Sequence, residues 1–341
     1  MSKVKTTEHL ICFFDILGYK NILNNTIKFH EPQLIIDIKE IVKDIYKIKK
    51  IFDKAYNKIK IYTFSDNFLI AIEINNNSNY FIEFNDMITI IQEIQFKIVM
   101  YHGFFIRGSL VKGQLYTGRN FVYGRGLIKA YELENKEAKY PRIIVDNDSL
   151  SEIYNNFKNE DDINEMFAII GEKIVGKSFN SKDISDKDYK LLNILKNSKL
   201  KKEHDDKLYF IDFLHGIEVF RYKFGYNDTL NYAIAFLDLY TIRVLVNLLI
   251  NSKESEITKK YFWCCAHYNI FCKENNYDCL IDIDKLMQNY NNPDYIYRTI
   301  YKTKTVKEDY ENKNNSDILI KSIMDRIGLE IGKVFSYILK N

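Results

Sequence analysis

Apolar residues recur along this chain with two different periods, and the alternation between them predicts the elements. His9–Asp15 (HLICFFD) is a short, almost wholly apolar run, which predicts a buried strand ending on a carboxylate just before Gly18. Beyond Pro32, residues Leu34, Ile38, Ile41, Ile45, Ile48 and Phe52 step by four and three, the spacing of one continuous helical seam. Lys60–Phe64 and Phe68–Glu73 then predict two strands around Ser65-Asp66-Asn67, the turn of a hairpin. Met87, Ile91, Ile94 and Ile98 mark a helix within Tyr80–Tyr101. Phe104–Val111 predicts a strand with Gly113–Tyr116 as its partner, followed by a helix over Gly126–Lys139 and a strand over Arg142–Val145.

That order predicts an α+β sheet with helices covering one face. Residues 147–206 are polar and mixed and read as an insertion, after which Leu208–Phe213 restores a strand. From about residue 226 the pattern changes. Segments 228–252, 257–275 and 315–339 are helical in period, as in Leu237, Tyr240, Val244 and Leu248. The expected organisation is therefore a mixed domain over residues 1–220 and a helical C-terminal domain over 221–341, with a polar connector near 302–316.

Charge narrows the function classes. The 341 residues carry 49 Lys plus Arg against 46 Asp plus Glu, a net +3 too even to predict a nucleic-acid or membrane surface. No window reaches 18 apolar residues and the N-terminus is polar, so a cytoplasmic protein is expected. Five cysteines (Cys12, Cys264, Cys265, Cys272, Cys279) lack framework spacing and read as reduced thiols. With His267, the last four resemble a metal cluster in composition but match no zinc spacing, and in the apolar run YFWCCAHYNIFC they read as buried small side chains. The lysine-rich stretches 47–50 and 199–202 read as solvated faces. No Walker loop, Rossmann fingerprint, Gly-x-Ser-x-Gly or HExxH occurs.

The chemistry that stands out is a pair of aspartates at strand ends, Asp15 in FFDILGYK and Asp66 in TFSDNFLIAI. Carboxylates on neighbouring strands can hold two divalent cations for phosphoryl transfer. The loop through Gly18 and Tyr19 leads towards a helix, where backbone N–H groups could face phosphates. Taken alone, each aspartate reads more readily as a turn or cap residue than as a metal ligand.

In order, these two motifs, then RGSLVKGQLYTG (107–118), GRGLIKAYELE (124–134) and Pro141–Val145, resemble the class III nucleotidyl cyclases. The likeness covers residues 9–146 with 208–213, and is closest in appearance to the bacterial pyrimidine cyclases of antiphage signalling. It implies a ferredoxin-like, palm-type sheet with covering helices, and a homodimer that converts a nucleoside triphosphate to its 3′,5′-cyclic monophosphate and pyrophosphate. It implies two Mg²⁺ or Mn²⁺ ions on Asp15, Asp66 and the Ile16 carbonyl. Tyr62 and Phe121 fall where purine cyclases select the base; two aromatics there suit a smaller base, uracil or cytosine. Ile128 and Glu132 stand where the family carries its transition-state Asn and Arg. Arg125, Lys129 and Arg107 are then the nearest cations for catalysis and substrate binding, beside Gly18 and Tyr19. The product would be sensed by a separate effector protein. A competing reading is a catalytically inactive, nucleotide-sensing module. A palm-type polymerase or cyclic-dinucleotide synthase is disfavoured, because their paired-acid turn is absent.

Overall fold

Strand β1 (Thr7–Ile16) is the apolar run around which the rest of the sheet is laid. The structure, a computed structural model, describes residues 5–20, 23, 31–56, 59–74, 80–119, 121–150, 200–202, 206–215, 217, 230–251, 255–292, 295, 296, 298 and 299. After β1 come helix α1 (Glu31–Tyr56), the hairpin β2 (Ile59–Phe64) and β3 (Asn67–Glu73), and α2 (Tyr80–Lys97), which ends in a π-helical turn at Ile98–His102. Then follow β4 (Ile106–Thr117), β5 (Val122–Tyr123), α3 (Arg125–Glu137), β6 (Ile143–Val145), β7 (Leu200–Lys202) and β8 (Tyr209–Ile211).

The eight-stranded sheet runs β2-β3-β1-β4-β6-β8-β7, with β5 paired to β4. β1 is antiparallel to both β3 and β4, and only the β4–β6 pair is parallel. The first four strands with α1 and α2 form a β-α-β-β-α-β unit in spatial order 4-1-3-2, the ferredoxin-like split βαβ arrangement. The fold is thus α+β with a central mixed sheet.

Helices cover both faces, not one as the element order suggested. Ile11, Leu69, Ala71, Val111 and Leu115 form a core with Ala130 of α3. On the reverse face Leu10, Cys12, Phe14, Phe68, Ile70 and Leu110 are also buried, and the Lys112 ammonium lies 4.8 Å from the Tyr80 ring of α2. Both residue parities of the central strands are apolar, so neither face can be left to water. The α1 seam is real: Ile41, Ile45 and Ile48 are at most 1% exposed, and α1 packs against α2 and β2.

Three further elements differ from expectation. Phe104–Val111 and Gly113–Tyr116 are not a hairpin but parts of one strand, β4, which pairs with β5 as well as with β1 and β6. Gly113 makes no turn; a Cβ there would meet the Gly126 Cα at 2.6 Å, so the glycine pair lets α3 approach the sheet. Leu200–Lys202, within the lysine-rich stretch 199–202, is edge strand β7 paired to β8, which the pattern did not predict.

The chain divides into two compact units, Met1–Ile98 with Phe105–Val219, and Val99–Phe104 with Phe220–Asn341. The second contains α4 (Leu230–Ile250), α5 (Ser255–Glu274) and a short α6 (Ile283–Asn289) that the periodicity did not reveal. Leu237, Tyr240, Val244 and Leu248 of α4 are buried, and Tyr240 stacks on Tyr268 of α5. Arg243 and Asn247 donate to the carbonyls of Met100, Tyr101 and Gly103, satisfying the end of the π-helical turn. The helix expected over 315–339 and most of the 147–206 insertion lie outside the described residues. Among the described residues, no helix is long and apolar enough to cross a membrane.

Candidate functional site

Strand register gathers the acids. Asp15 pairs with Asn67 of β3 on one side and with Arg107 of β4 on the other, and Asp66 is the turn residue immediately before Asn67. Ser65, the other residue of that two-residue turn, takes φ 57°. Asp15, Ile11 and Phe13 share a strand face, so Asp15 is presented on the α3 side of the sheet.

Arg107 grips Asp15 in a bidentate fork, with Nε donating to Oδ1 and Nη2 to Oδ2, each at 3.0 Å. Its Nη2 also lies 2.8 Å from Glu134 Oε1 of α3, whose side chain is only 3% exposed. Asp66 acts on the same guanidinium through its charge. One cation therefore faces three carboxylates. Burial, with the Asp15 charge adding to it, holds the Asp66 carboxyl above its usual range, against hydrogen bonds from Ser65 and its own backbone and the charge of Arg107.

The donor chemistry suits a divalent cation. Among the described residues no group of three or more His, Cys, Asp or Glu side chains is arranged to hold a metal. Mg²⁺, however, is commonly held by one or two carboxylates plus substrate phosphates and water. Asp15 and Asp66 are hard oxygen donors, and each Asp15 oxygen keeps a lone pair beyond its bond to Arg107. The surplus negative charge is of the sign that a dication would offset.

Around this centre, Gly18 adopts φ 74°, and the Leu17 N–H donates to Phe105 O at 2.8 Å, turning the chain just beyond Asp15 and the buried Ile16. Tyr19, half-buried, and Lys20 begin a helical turn; residues 21–22 and 24–30 lie outside the described set. The two expected base-selecting residues are linked through the backbone of Gly118. The Tyr62 hydroxyl donates to Gly118 O at 2.6 Å, and the Gly118 N–H donates to Phe121 O at 2.8 Å. The Tyr62 ring packs against the α3-side core. Phe121 is 60% exposed and stacks on Tyr123, with centroids 6.4 Å apart.

The two helix cations are placed elsewhere. Arg125 is the first residue of α3, beside Gly126, which overlies Gly113, whereas Glu134 overlies Arg107. Nine helical residues, about 14 Å, separate Arg125 from Glu134. Lys129 Nζ donates to Asp146 Oδ2 at 2.6 Å and to Asp148 at 3.2 Å. Burial opposes the lysine's charge, yet those carboxylates outweigh it and raise its pKa. Ile128 is 57% exposed, and Glu132 pairs with Lys136 on the outer face of α3.

Glu134 is the participant that sequence reasoning missed. Its signal was present: Gly126, Ala130 and Glu134, spaced by four, are the buried residues of α3, and an acid on that stripe needs a partner.

No protein-family model matches the chain, and no curated protein matches it. Among solved structures, the guanylate cyclase domain of RhGC from Catenaria anguillulae in complex with GTP aligns at 15% identity, covering 43% of this chain and 82% of that one, with a TM-score of 0.34. The monomeric guanylyl cyclase domain of the RhoGC fusion protein from Blastocladiella emersonii aligns at 16% identity over 44% and 89%, TM-score 0.32. A bacterial light-regulated adenylyl cyclase aligns at 15% over 41% and 76%, TM-score 0.30.

Proposed function

We propose that this chain is a nucleotidyl cyclase that converts a pyrimidine nucleoside triphosphate, UTP or CTP, to the 3′,5′-cyclic monophosphate and pyrophosphate. The observation that carries the reading is the meeting of Asp15 and Asp66 at adjoining strand ends, which the sequence resemblance requires and the β1–β3 register delivers. Asp15 and Asp66 would hold two divalent cations, Mg²⁺ or Mn²⁺, with the Ile16 carbonyl as a further donor. When bound, such ions supply Lewis acidity to the ribose 3′-hydroxyl and the triphosphate.

The chain's own part is charge and position. Arg107 is close enough to Asp15 to offset phosphate charge developing beside it. Gly18 and Tyr19 turn the backbone at the same strand end. Arg125 and Lys129 would act only on a substrate reaching along α3. The Tyr62 hydroxyl spends its proton on Gly118, so a base reaching it meets an acceptor; the cytosine N4 amine or the uracil N3–H can donate there. Phe121 supplies an exposed ring for stacking. A second copy would complete the enzyme, seated on the exposed apolar side chains of α3 and the neighbouring turn. The resemblance extends this to a second-messenger role in antiphage defence, with a separate effector reading the product.

Two observations favour a second reading, a nucleotide sensor without turnover: Ile128 and Glu132 face outward, and Arg107 is bonded to Asp15. One experiment separates the two. Purified protein is incubated with each of the four nucleoside triphosphates and Mn²⁺, and products are resolved chromatographically. Cyclic UMP or cyclic CMP is expected. Nucleotide binding without product would establish the sensor, and a purine product would overturn the base assignment alone.

A further inference from the structure

Two of the five cysteines are brought side by side by the way a helix ends. α5 stops at Glu274, and Asn276 takes φ 57°. The Asn276 N–H donates to Lys273 O at 3.4 Å and the Tyr277 N–H to Cys272 O at 2.8 Å, the paired bonds of a Schellman ending. Phe271 stacks on Tyr277, with centroids 6.2 Å apart, the apolar contact that accompanies such a reversal. Asn269 then holds the returning chain as a strand partner would. Its Nδ2 donates to Ile281 O and its Oδ1 accepts from the Ile281 N–H, both at 2.8 Å. The backbone is thus doubled back and fastened at Tyr277 and Ile281. Between those points Cys279 Sγ lies 3.3 Å from Cys272 Sγ.

We propose that Cys272 and Cys279 form a thiol–disulfide pair, a redox modification site at which a hydroperoxide oxidises Cys279 and Cys272 resolves it. Accessibility divides the roles: Cys272 is fully buried, whereas Cys279 is half-buried between exposed Asp278 and Leu280. Hydrogen bonding with Cys272 and Tyr268 brings the Cys279 pKa below its ordinary value, against burial and the charges of Asp238 and Asp278. The thiolate is the reactive form. Burial pushes the thiols of Cys12, Cys264 and Cys265 up instead, so they are poor competitors.

In the first step the Cys279 thiolate attacks the O–O bond. Its sulfur takes one oxygen as sulfenic acid, and the other oxygen leaves, with a proton, as an alcohol or water. Cys272 then attacks that sulfur, forming the S–S bond and expelling the sulfenic oxygen as water. Two thiols and one hydroperoxide give one disulfide, one alcohol and one water. The bond would fasten the last turn of α5 to the segment leading into α6.

The test uses the full chain, reduced and desalted, then exposed to hydrogen peroxide and followed by intact mass and peptide mapping. The expected product is lighter by two hydrogens, cross-linked between residues 272 and 279 within one chain, and restored by dithiothreitol. In Cys272→Ser protein the sulfenic acid should persist, giving roughly tenfold more dimedone adduct at Cys279 than wild type, where resolution competes. Wild-type mapping decides by itself if that variant does not fold. A link between chains, oxidation that ends at Cys279 sulfinic acid in wild type, or equal dimedone capture in both proteins would overturn the proposal.

Discussion

Arg107 sets the electrostatics of the candidate site, since one guanidinium answers Asp15, Glu134 and Asp66 together. Removing one partner from a largely buried ion network leaves the others uncompensated, at about 3–5 kcal/mol. Arg107→Met is therefore expected to lower the unfolding free energy measured by urea titration by an amount near the bottom of that range, because about a fifth of both Arg107 and Asp15 remains exposed. Adding Glu134→Gln should recover part of the loss, as the buried carboxylate is gone, and the double-mutant cycle measures how much. Strict additivity would show the two side chains to be energetically independent. His9 offers a test by pH. Burial lowers its pKa despite the Thr7 carbonyl and the Glu73 charge. The unfolded chain takes up a proton near pH 6.5 that the folded chain refuses, so stability is present above that pH and is lost below it. His9→Asn should flatten this part of the profile, and the stability gap between wild type and variant should shift against wild type from pH 8 to pH 5. A gap independent of pH would show that His9 titrates alike in both states.

At the scale of elements, a glycine contact sets how closely α3 approaches the sheet, beside the packing of Ala130 in the core. A Cβ on Gly113 would meet the Gly126 Cα at 2.6 Å, and one on Gly126 would meet Ile11 Cδ1 and, at 3.0 Å, the Gly113 carbonyl carbon. Overpacking of this kind costs about 1–3 kcal/mol. Gly113→Ala should cost more than Gly126→Ala, since its neighbour is backbone, whereas Ile11 can rotate away. Thermal melts of the two variants would show that order, and the reverse order would place α3 farther from the sheet. The same contact explains what the sequence concealed. Glycine signals a turn when read locally, so β4 was divided at Gly113; only the packed helix shows that the glycine serves close approach. β1, the β2–β3 hairpin, α1, α2, α4 and α5 were legible because each repeats its own period over enough residues. The seven-residue α6 was too short for that, and the lysines of β7 concealed an edge strand. Within the site, Asp15 and Asp66 were legible as strand-end carboxylates. The Glu134–Arg107 and Lys129–Asp146 pairs were not, because each depends on a helix being laid over a particular strand.

For the molecule as a whole, the proposed second copy needs an apolar surface to cover. The middle of the α1 seam is not available to a second copy, because Ile41, Ile45 and Ile48 are buried as α1 packs on α2 and β2. Among the described residues, the most exposed apolar side chains of the first unit lie on α3 and its approach: Ile128 and Tyr131 are 57% and 53% exposed, Phe121 and Tyr123 60% and 66%, and Phe64, at the end of β2 beside the Asp66 turn, 83%. Aromatic residues at the centre of an interface contribute most of its binding energy. A stable homodimer hides about 800 Å² per partner, and an association through this surface would bring Phe64, two residues from Asp66, under cover with it. Ile128 faces outward and Tyr131 meets Phe13 only edge-on, with centroids 5.8 Å apart, so the paired replacements Ile128→Lys and Tyr131→Glu should leave the fold intact, with at most a modest drop in the circular-dichroism melt. Sedimentation velocity is expected to show wild type passing from monomer to dimer with rising concentration, with turnover per chain rising in parallel. The variant should stay monomeric at the same concentrations and lose at least about tenfold in turnover, the equivalent of 1.4 kcal/mol. A variant that still dimerises would move the interface off α3, and a monomeric variant with full turnover would show that each chain holds a complete site.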